Sequence, residues 1–172
     1  RSPIILPRVS RRVDYEGELA FVIGRRCKDV PEEEALRCVA GYSIMNDVSA
    51  RDLQMQTSQW TAGKTPDTFA PMGPGIVPSS EIPDPQTLRL MTRVNGVLLQ
   101  DANTRDMVFS VARTIAFLSS IMTLEPGDIV ATGTPSGVGF RRKPPVFLKP
   151  GDVVEVEVER IGVIRNPVVG TE

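Results

Sequence analysis

The sequence predicts an α+β domain dominated by mixed β-sheets, with two or three helices. Three observations lead there. Val154, Val156 and Val158 alternate with Glu155, Glu157 and Glu159, the period of an antiparallel strand with one wet face. Leu88–Val94 and Val97–Gln100 flank Asn95-Gly96, the pair favoured in a two-residue hairpin turn. Against many such strand signals, one long helical repeat stands out: Val108, Val111, Ala112, Ile115, Leu118 and Met122. The 172 residues suffice for one domain, 1–172, with a sizeable core.

The elements follow in chain order. Ser2–Arg12, with Pro3 and Pro7, reads as an extended entry segment. Val13–Gly24 reads as a strand, rich in apolar residues and closed by Gly24. Asp29-Val30-Pro31 followed by Glu32–Glu34 reads as a helix start, with Asp29 as cap and acids at the positive end of the dipole. Ala35, Leu36, Val39 and Ala40 give that helix an apolar side, and Gly41 closes it. Tyr42–Met45 is a short strand, after which Asn46 or Asp47 caps a helix carrying Asp47, Arg51 and Gln54 on one polar face. On local pattern alone that face is an exposed Asp–Arg pair beside a cap. Trp60–Gly75 reads as a long Gly/Pro loop, of a length that is often functional. Gly63-Lys64-Thr65 is not a P-loop ending, because position 58 is Ser and not Gly. Glu125–Asp128 and Lys149–Asp152 are matching Pro-Gly turns, Ile129–Thr132 a buried strand, and Ile161–Val169 the last strand. Between them, Gly133–Gly139 is a Gly-rich turn whose N–H groups form either an anion nest or a plain tight turn.

Composition excludes several function classes. Lys plus Arg is 20 and Asp plus Glu is 21, so the net charge is −1, with no nucleic-acid footprint. No apolar run is long enough to span a membrane, and Arg1–Pro7 has no signal-peptide core, so a cytoplasmic setting is expected. Cys27 and Cys38 make no disulfide framework and no zinc pattern, and read as small core residues. There is no histidine. A Ser-His-Asp triad, a Cys-His pair and a His-ligated metal are therefore excluded within this chain. A metal site here has oxygen ligands, suited to Mg²⁺, Mn²⁺ or Ca²⁺.

The acidic strand is the stretch that asks for an explanation. Alternation puts Asp14, Glu16, Glu18, Ala20 and Val22 on one face. Two carboxylates about 4–5 Å apart in a partly buried site repel by about 3–4 kcal/mol at an effective dielectric near 20. Water, protonation or a bound cation relieves that, so the face is either a solvated edge or a site. Gly17, between the two glutamates, marks close approach by a ligand or by backbone.

Four stretches occur in order: the acidic strand, Asn-Asp-x-Ser-Ala-Arg-Asp-Leu-Gln from Asn46, Gly-Lys-x-x-Asp-Thr-Phe-Ala-Pro-Met-Gly-Pro from Gly63, and Thr-Gly-Thr-Pro-x-Gly-Val-Gly from Thr132. Together they resemble the fumarylacetoacetate hydrolase family, from about Asp14 to Val169. The nearest resemblance is to small bacterial members named 2-hydroxyhepta-2,4-diene-1,7-dioate isomerases, and to acylpyruvate hydrolases and oxaloacetate decarboxylases. The resemblance implies a β-roll of layered sheets, a homodimer, and Mg²⁺ or Mn²⁺ held by Glu16, Glu18 and Asp47. It implies Lys64 as the active-site lysine, Arg51 and Gln54 as substrate-binding residues, and Thr134 as a contact to the carboxylate of a 2-oxo acid substrate. Asp14 is not a ligand in the family pattern. The expected reaction is isomerisation of an unsaturated 2-oxo dicarboxylic acid through a metal-bound enolate. Acylpyruvate C–C hydrolysis, oxaloacetate decarboxylation and a catalytically silent metal-binding domain are the alternatives. Many members also carry a lid helix with His and Glu upstream of the acidic strand. That lid is expected either to lie before Arg1 or to be lacking, with hydrolysis impaired.

Overall fold

The structure, a computed structural model, describes residues 2–171. Its core is two facing sheets. The larger has the order β1 (Ile4–Leu6), β11 (Gly162–Gly170), β10 (Val153–Val158), β7 (Arg89–Val94) and β8 (Val97–Asn103). β1 runs parallel to β11 and the other pairings are antiparallel. The smaller has the order β6 (Met72–Pro78), β4 (Val39–Asn46), β3 (Gly17–Ile23) and β9 (Ile129–Ala131), all antiparallel. β3 lies over β7 and β10, and β4 over β10 and β11. A two-stranded ribbon, β2 (Val13–Asp14) with β5 (Ser49–Ala50), sits beside them. Among the described residues four α-helices complete the fold: α1 (Glu32–Ala35), α2 (Arg51–Gln54), α3 (Thr61–Lys64) and α4 (Val111–Ile121). None of these is long and apolar enough to cross a membrane.

Several local readings hold because local chemistry decides them. Asn95 and Gly96 both take positive φ, 52° and 79°, as the hairpin turn requires. The two Pro-Gly turns are built alike: Asp128 accepts from the Glu125 N–H and Asp152 from the Lys149 N–H. β10 alternates buried valine with half-exposed glutamate. Cys27 and Cys38 are buried free thiols, and burial beside Cys38 pushes Cys27 up to about 11.

Others are corrected. Val13–Gly24 is two strands, because the chain leaves the ribbon at Tyr15 and joins a different ladder at Gly17. β3 is buried along its whole length, so the solvated-edge alternative fails. The first helix stops at Ala35, with a 3₁₀ turn over Leu36–Cys38. Val39, Ala40 and Gly41, read as helical, open β4 instead. Asp29 caps nothing and sits at φ 51°. The residue flanking α2 on its N-terminal side is Ala50, not Asn46 or Asp47. The Trp60–Gly75 loop is broken by α3 and by the start of β6. Helix α4 is capped by Ser110 and buries Val111, Ile115 and Ser119, whereas Val108 and Met122 lie beyond its ends and are exposed. β9 is an edge strand with Ile129 exposed, not a buried one.

Candidate metal centre

The start of β3 and the turn after β4 bring three carboxylates together. Ligand oxygens of Glu16, Glu18 and Asp47 all lie within 4.8 Å of one another. The Asp47 N–H donates to the Glu16 carbonyl at 2.8 Å, and the Asn46 side-chain oxygen accepts the Glu16 N–H at 2.9 Å, so the two segments are stitched at the cluster itself. Lys64, at the end of α3, reaches in from the open side: its Nζ is 2.7 Å from Glu16 Oε2 and 2.6 Å from Asp47 Oδ2. Burial alone would lower Lys64, but the hydrogen bonds to Asp47 and Glu16 outweigh it, and its pKa is raised. Glu18 lies deepest. Burial pushes it up to about 8, against the N–H of Gly133, which donates to its Oε2 at 2.7 Å.

Arg51 and Asp14 stand behind this cluster. Arg51 Nη2 is 2.9 Å from Asp14 Oδ2 and 2.6 Å from Glu16 Oε1, and Nη1 donates to Gln54 Oε1 at 3.0 Å. The guanidinium also stacks on Phe140, 4.3 Å from the ring centre. Asp14 is fully buried and accepts from Arg51 Nε and from the N–H groups of Tyr15, Gly139 and Phe140 at 2.8–3.0 Å. Burial raises its pKa, opposed by the Phe140 N–H and by Arg51. Its hydrogen-bond partners among the described residues are all donors.

Arg51 and Gln54 are both 5% exposed: Arg51 braces Asp14 and Glu16, and Gln54 holds Arg51. Arg51 pairs with Asp14 and Glu16, not with Asp47. The Thr134 hydroxyl donates to the Gly17 carbonyl at 3.0 Å and accepts from Gln100 at 2.8 Å, so its proton is committed inside the fold. The Gly-rich turn is an anion nest, but the anions it holds are the chain's own Glu18 and Asp14. Gly17 and Gly63 are sites where other parts of the chain come close. A Cβ on Gly17 would collide with Thr92 Oγ1 and Val156 of the facing sheet, and one on Gly63 with Gln54.

Two contributors escape the sequence reading. Asn46 fits a helix cap by sequence, yet it holds Glu16, and its Nδ2 is buried with no partner among the described residues. Asp14, not a ligand by the family pattern, indeed supports the cluster from behind through Arg51. Gln100 is 1% exposed; an uncharged polar residue closing an apolar hairpin strand was the only hint.

The donor set fits a hard divalent cation. Oxygens on opposite sides of Mg²⁺ are about 4.2 Å apart, so the cluster has the scale of one coordination sphere. Among the described residues, Glu16, Glu18, Asp47 and Asp14, when ionised, face Lys64 and Arg51 as cations, leaving an excess of two negative charges that one divalent ion cancels. A cleft of about 540 Å³ is lined by Gly133, whose N–H holds Glu18, although neither the three carboxylates nor Lys64 line it. It runs from Gly133, Thr134 and Pro135 to the apolar Leu90, Met107 and Phe109.

Known proteins share this arrangement of chain. Residues 1–169 match the fumarylacetoacetate (FAA) hydrolase C-terminal family. The mitochondrial oxaloacetate tautomerase of Xenopus laevis is 53% identical over 169 residues, which is 97% of this chain and 53% of that protein. The crystal structure of a 2-hydroxyhepta-2,4-diene-1,7-dioate isomerase from Mycobacterium marinum superposes with a TM-score of 0.91 at 46% identity, covering 99% of this chain and 64% of that one. Fumarylpyruvate hydrolase of Pseudomonas aeruginosa, solved with Mn²⁺ and pyruvate, gives 0.91 at 32% identity, covering 99% and 71%. The chain spans about half to two thirds of the length of the curated relatives it matches. An α+β fold of layered sheets, four ordered motifs and a clustered carboxylate triad thus agree with the comparisons: the chain belongs to the fumarylacetoacetate hydrolase family, whose members are enzymes.

Proposed function

We propose that the chain is the catalytic domain of a Mg²⁺- or Mn²⁺-dependent isomerase that moves a proton between carbon and oxygen of a 2-oxo dicarboxylic acid. One observation carries the reading: Lys64 Nζ lies between Glu16 and Asp47, at the exposed edge of a buried three-carboxylate cluster. A divalent ion held by Glu16, Glu18 and Asp47 would act as a Lewis acid toward the 2-oxo group. The chain's own residues do the rest. Lys64, held as an ammonium, would give a proton from Nζ to the substrate carbon and take up the proton leaving the enol oxygen, so that it ends the cycle as it began. Arg51, fixed by Asp14 and Gln54, holds the Glu16 carboxylate in place. The cleft from Thr134 to Phe109 receives the remainder of the substrate and excludes water with its apolar wall.

Proton transfer within one substrate needs no activated water. It is also the reaction class named for both the Xenopus tautomerase and the Mycobacterium isomerase. Acylpyruvate hydrolysis or oxaloacetate decarboxylation is the second reading, favoured by the Pseudomonas hydrolase with its Mn²⁺ and pyruvate. Action on a small 2-oxo acid, as a homodimer, belongs to the same proposal.

The test is a panel with added Mn²⁺: enol-to-keto conversion of oxaloacetate, isomerisation of 2-hydroxyhepta-2,4-diene-1,7-dioate, and cleavage of an acylpyruvate. Conversion of either dicarboxylate without C–C cleavage, abolished in Glu18→Gln, is the expected result. Cleavage as the dominant activity would favour the second reading, and no turnover of any member would refute both.

A further inference from the structure

We infer that Gln100 is a positioning residue of the carboxylate cluster: with Thr134 it closes a hydrogen-bonded clamp on Gly17 that fixes the spacing of Glu16 and Glu18. The inference rests on the metal-dependent reading above and concerns what prepares the site.

Gly17 is the residue between two of the three carboxylates. On one side it pairs with Asn46 of β4. On the other, β9 reaches only Ala20–Val22, so the ladder has ended before Gly17. Thr132 N–H covers the Leu19 carbonyl at 3.1 Å, and beyond it side chains take over. Gln100 Oε1 accepts the Gly17 N–H at 3.1 Å, and Thr134 Oγ1 donates to the Gly17 carbonyl at 3.0 Å. Gln100 Nε2 then joins the two by donating to Thr134 Oγ1 at 2.8 Å, with a further bond to the Pro135 carbonyl at 3.0 Å. The amide uses its acceptor and both of its donor hydrogens, a satisfied buried network of the kind that specifies geometry.

The clamp answers a difficulty the packing creates. Thr92 and Val156 of the facing sheet press on position 17, which only glycine accommodates. Glycine is also the backbone unit with the most freedom to lose. An unclamped glycine between Glu16 and Glu18 would let the two carboxylates separate, as their repulsion favours. Gln100 and Thr134 remove that freedom and tie β3 to the turn whose Gly133 N–H holds Glu18.

Residues that orient metal ligands typically change affinity 10–100-fold when replaced. Mn²⁺ binding to the whole chain, followed by calorimetry and by the electron paramagnetic resonance of free Mn²⁺, is the readout. Gln100→Leu and Thr134→Val are each expected to weaken Mn²⁺ about tenfold. The double variant should be no weaker than the worse single one, because either change opens the same ring. Thr134→Ser, which keeps the hydroxyl, should restore affinity to within about twofold. Gln86→Leu is the control. Gln86 also bridges buried backbone, from the Thr104 carbonyl to the Val111 N–H, but away from the cluster, so its loss should lower stability and leave Mn²⁺ affinity unchanged. Should Gln100→Leu fail to fold, the Thr134→Val and Thr134→Ser pair decides alone. Unchanged Mn²⁺ affinity in the folded variants, or losses that add in the double variant, overturns the clamp while the metal reading stands. Wild-type protein that takes up no Mn²⁺ overturns both.

Discussion

Replacing Asp14 with alanine should cost more than replacing any of the metal-facing acids. Asp14 accepts two bonds from Arg51 and one each from the N–H groups of Tyr15, Gly139 and Phe140, all at 2.9–3.0 Å except Gly139 at 2.8 Å. Both partners of the ion pair are almost fully buried, with side chains 6% and 0% exposed. Breaking such a pair by removing one partner typically costs about 3–5 kcal/mol, since the other charge stays buried. The orphaned N–H groups add to this, while Glu16, still 2.6 Å from Arg51, offsets part of it. A loss of about 4 kcal/mol is a large share of a domain's ~5–15 kcal/mol. With a urea slope of about 2 kcal/mol per M, the unfolding midpoint of metal-free Asp14→Ala should fall by about 2 M. Asp14→Leu combined with Arg51→Met leaves no unpaired buried guanidinium and should be less damaging than the sum of the single changes. A midpoint shift under about 0.5 M for Asp14→Ala, or strictly additive losses, would refute the buried pair as the brace of the site.

Further outcomes follow from neighbouring residues. A cation must displace the proton that burial holds on Glu18 up to about pH 8, so Mn²⁺ affinity should rise about tenfold per pH unit below 8 and level off above it. Calorimetry in buffers of different ionisation heat should count up to one proton released per ion below that point, and a flat affinity from about pH 6 to 9 would contradict it. For the metal-free chain the sign is opposite. The fold binds that proton more tightly than an unfolded chain, with its ordinary value of 4.5, so this contribution to stability is lost as pH rises from about 4.5 through 8, readable in urea midpoints. Lys64→Gln should bind Mn²⁺ at least as tightly as wild type, since no ammonium competes for Glu16 and Asp47, yet turn over about 10²–10⁴-fold more slowly; retained turnover would remove Lys64 from the chemistry. Gly17→Ala should cost about 1–3 kcal/mol through overpacking, and Thr92→Ala in the same chain should recover part of it in thermal unfolding.

What the sequence disclosed was whatever a few adjacent residues decide. Asn95-Gly96 and the paired Pro-Gly turns carry their own geometry, and the valine–glutamate alternation of β10 carries its own face. Boundaries went wrong where tertiary pairing overrode local preference: Val39–Gly41 fit a helix face, but β3 offered them a ladder. The carboxylate triad was legible through the motifs around Glu16, Glu18 and Asp47 and is a cluster in space. Its supports were not. Asp14 finds Gly139 and Phe140 at a separation of 125–126 residues, and Gln100 finds Gly17 across 83. Nothing at either end of such a contact advertises the other. The same long reach explains why Arg51, on an exposed-looking polar stretch, is in fact interior.

The cleft has two walls of different kinds. One, Thr132–Pro135, is locked to the sheet through Leu19, Gly17 and Gln100. The other is contributed by Met107, Val108 and Phe109, in the short connection leading into α4, with Val108 88% and Phe109 63% exposed. A mutation on that outer lip trades one apolar contour for another without disturbing a single bond to Glu16, Glu18 or Asp47. The contour of this cleft is therefore set by three residues whose replacement leaves the carboxylate cluster as it is.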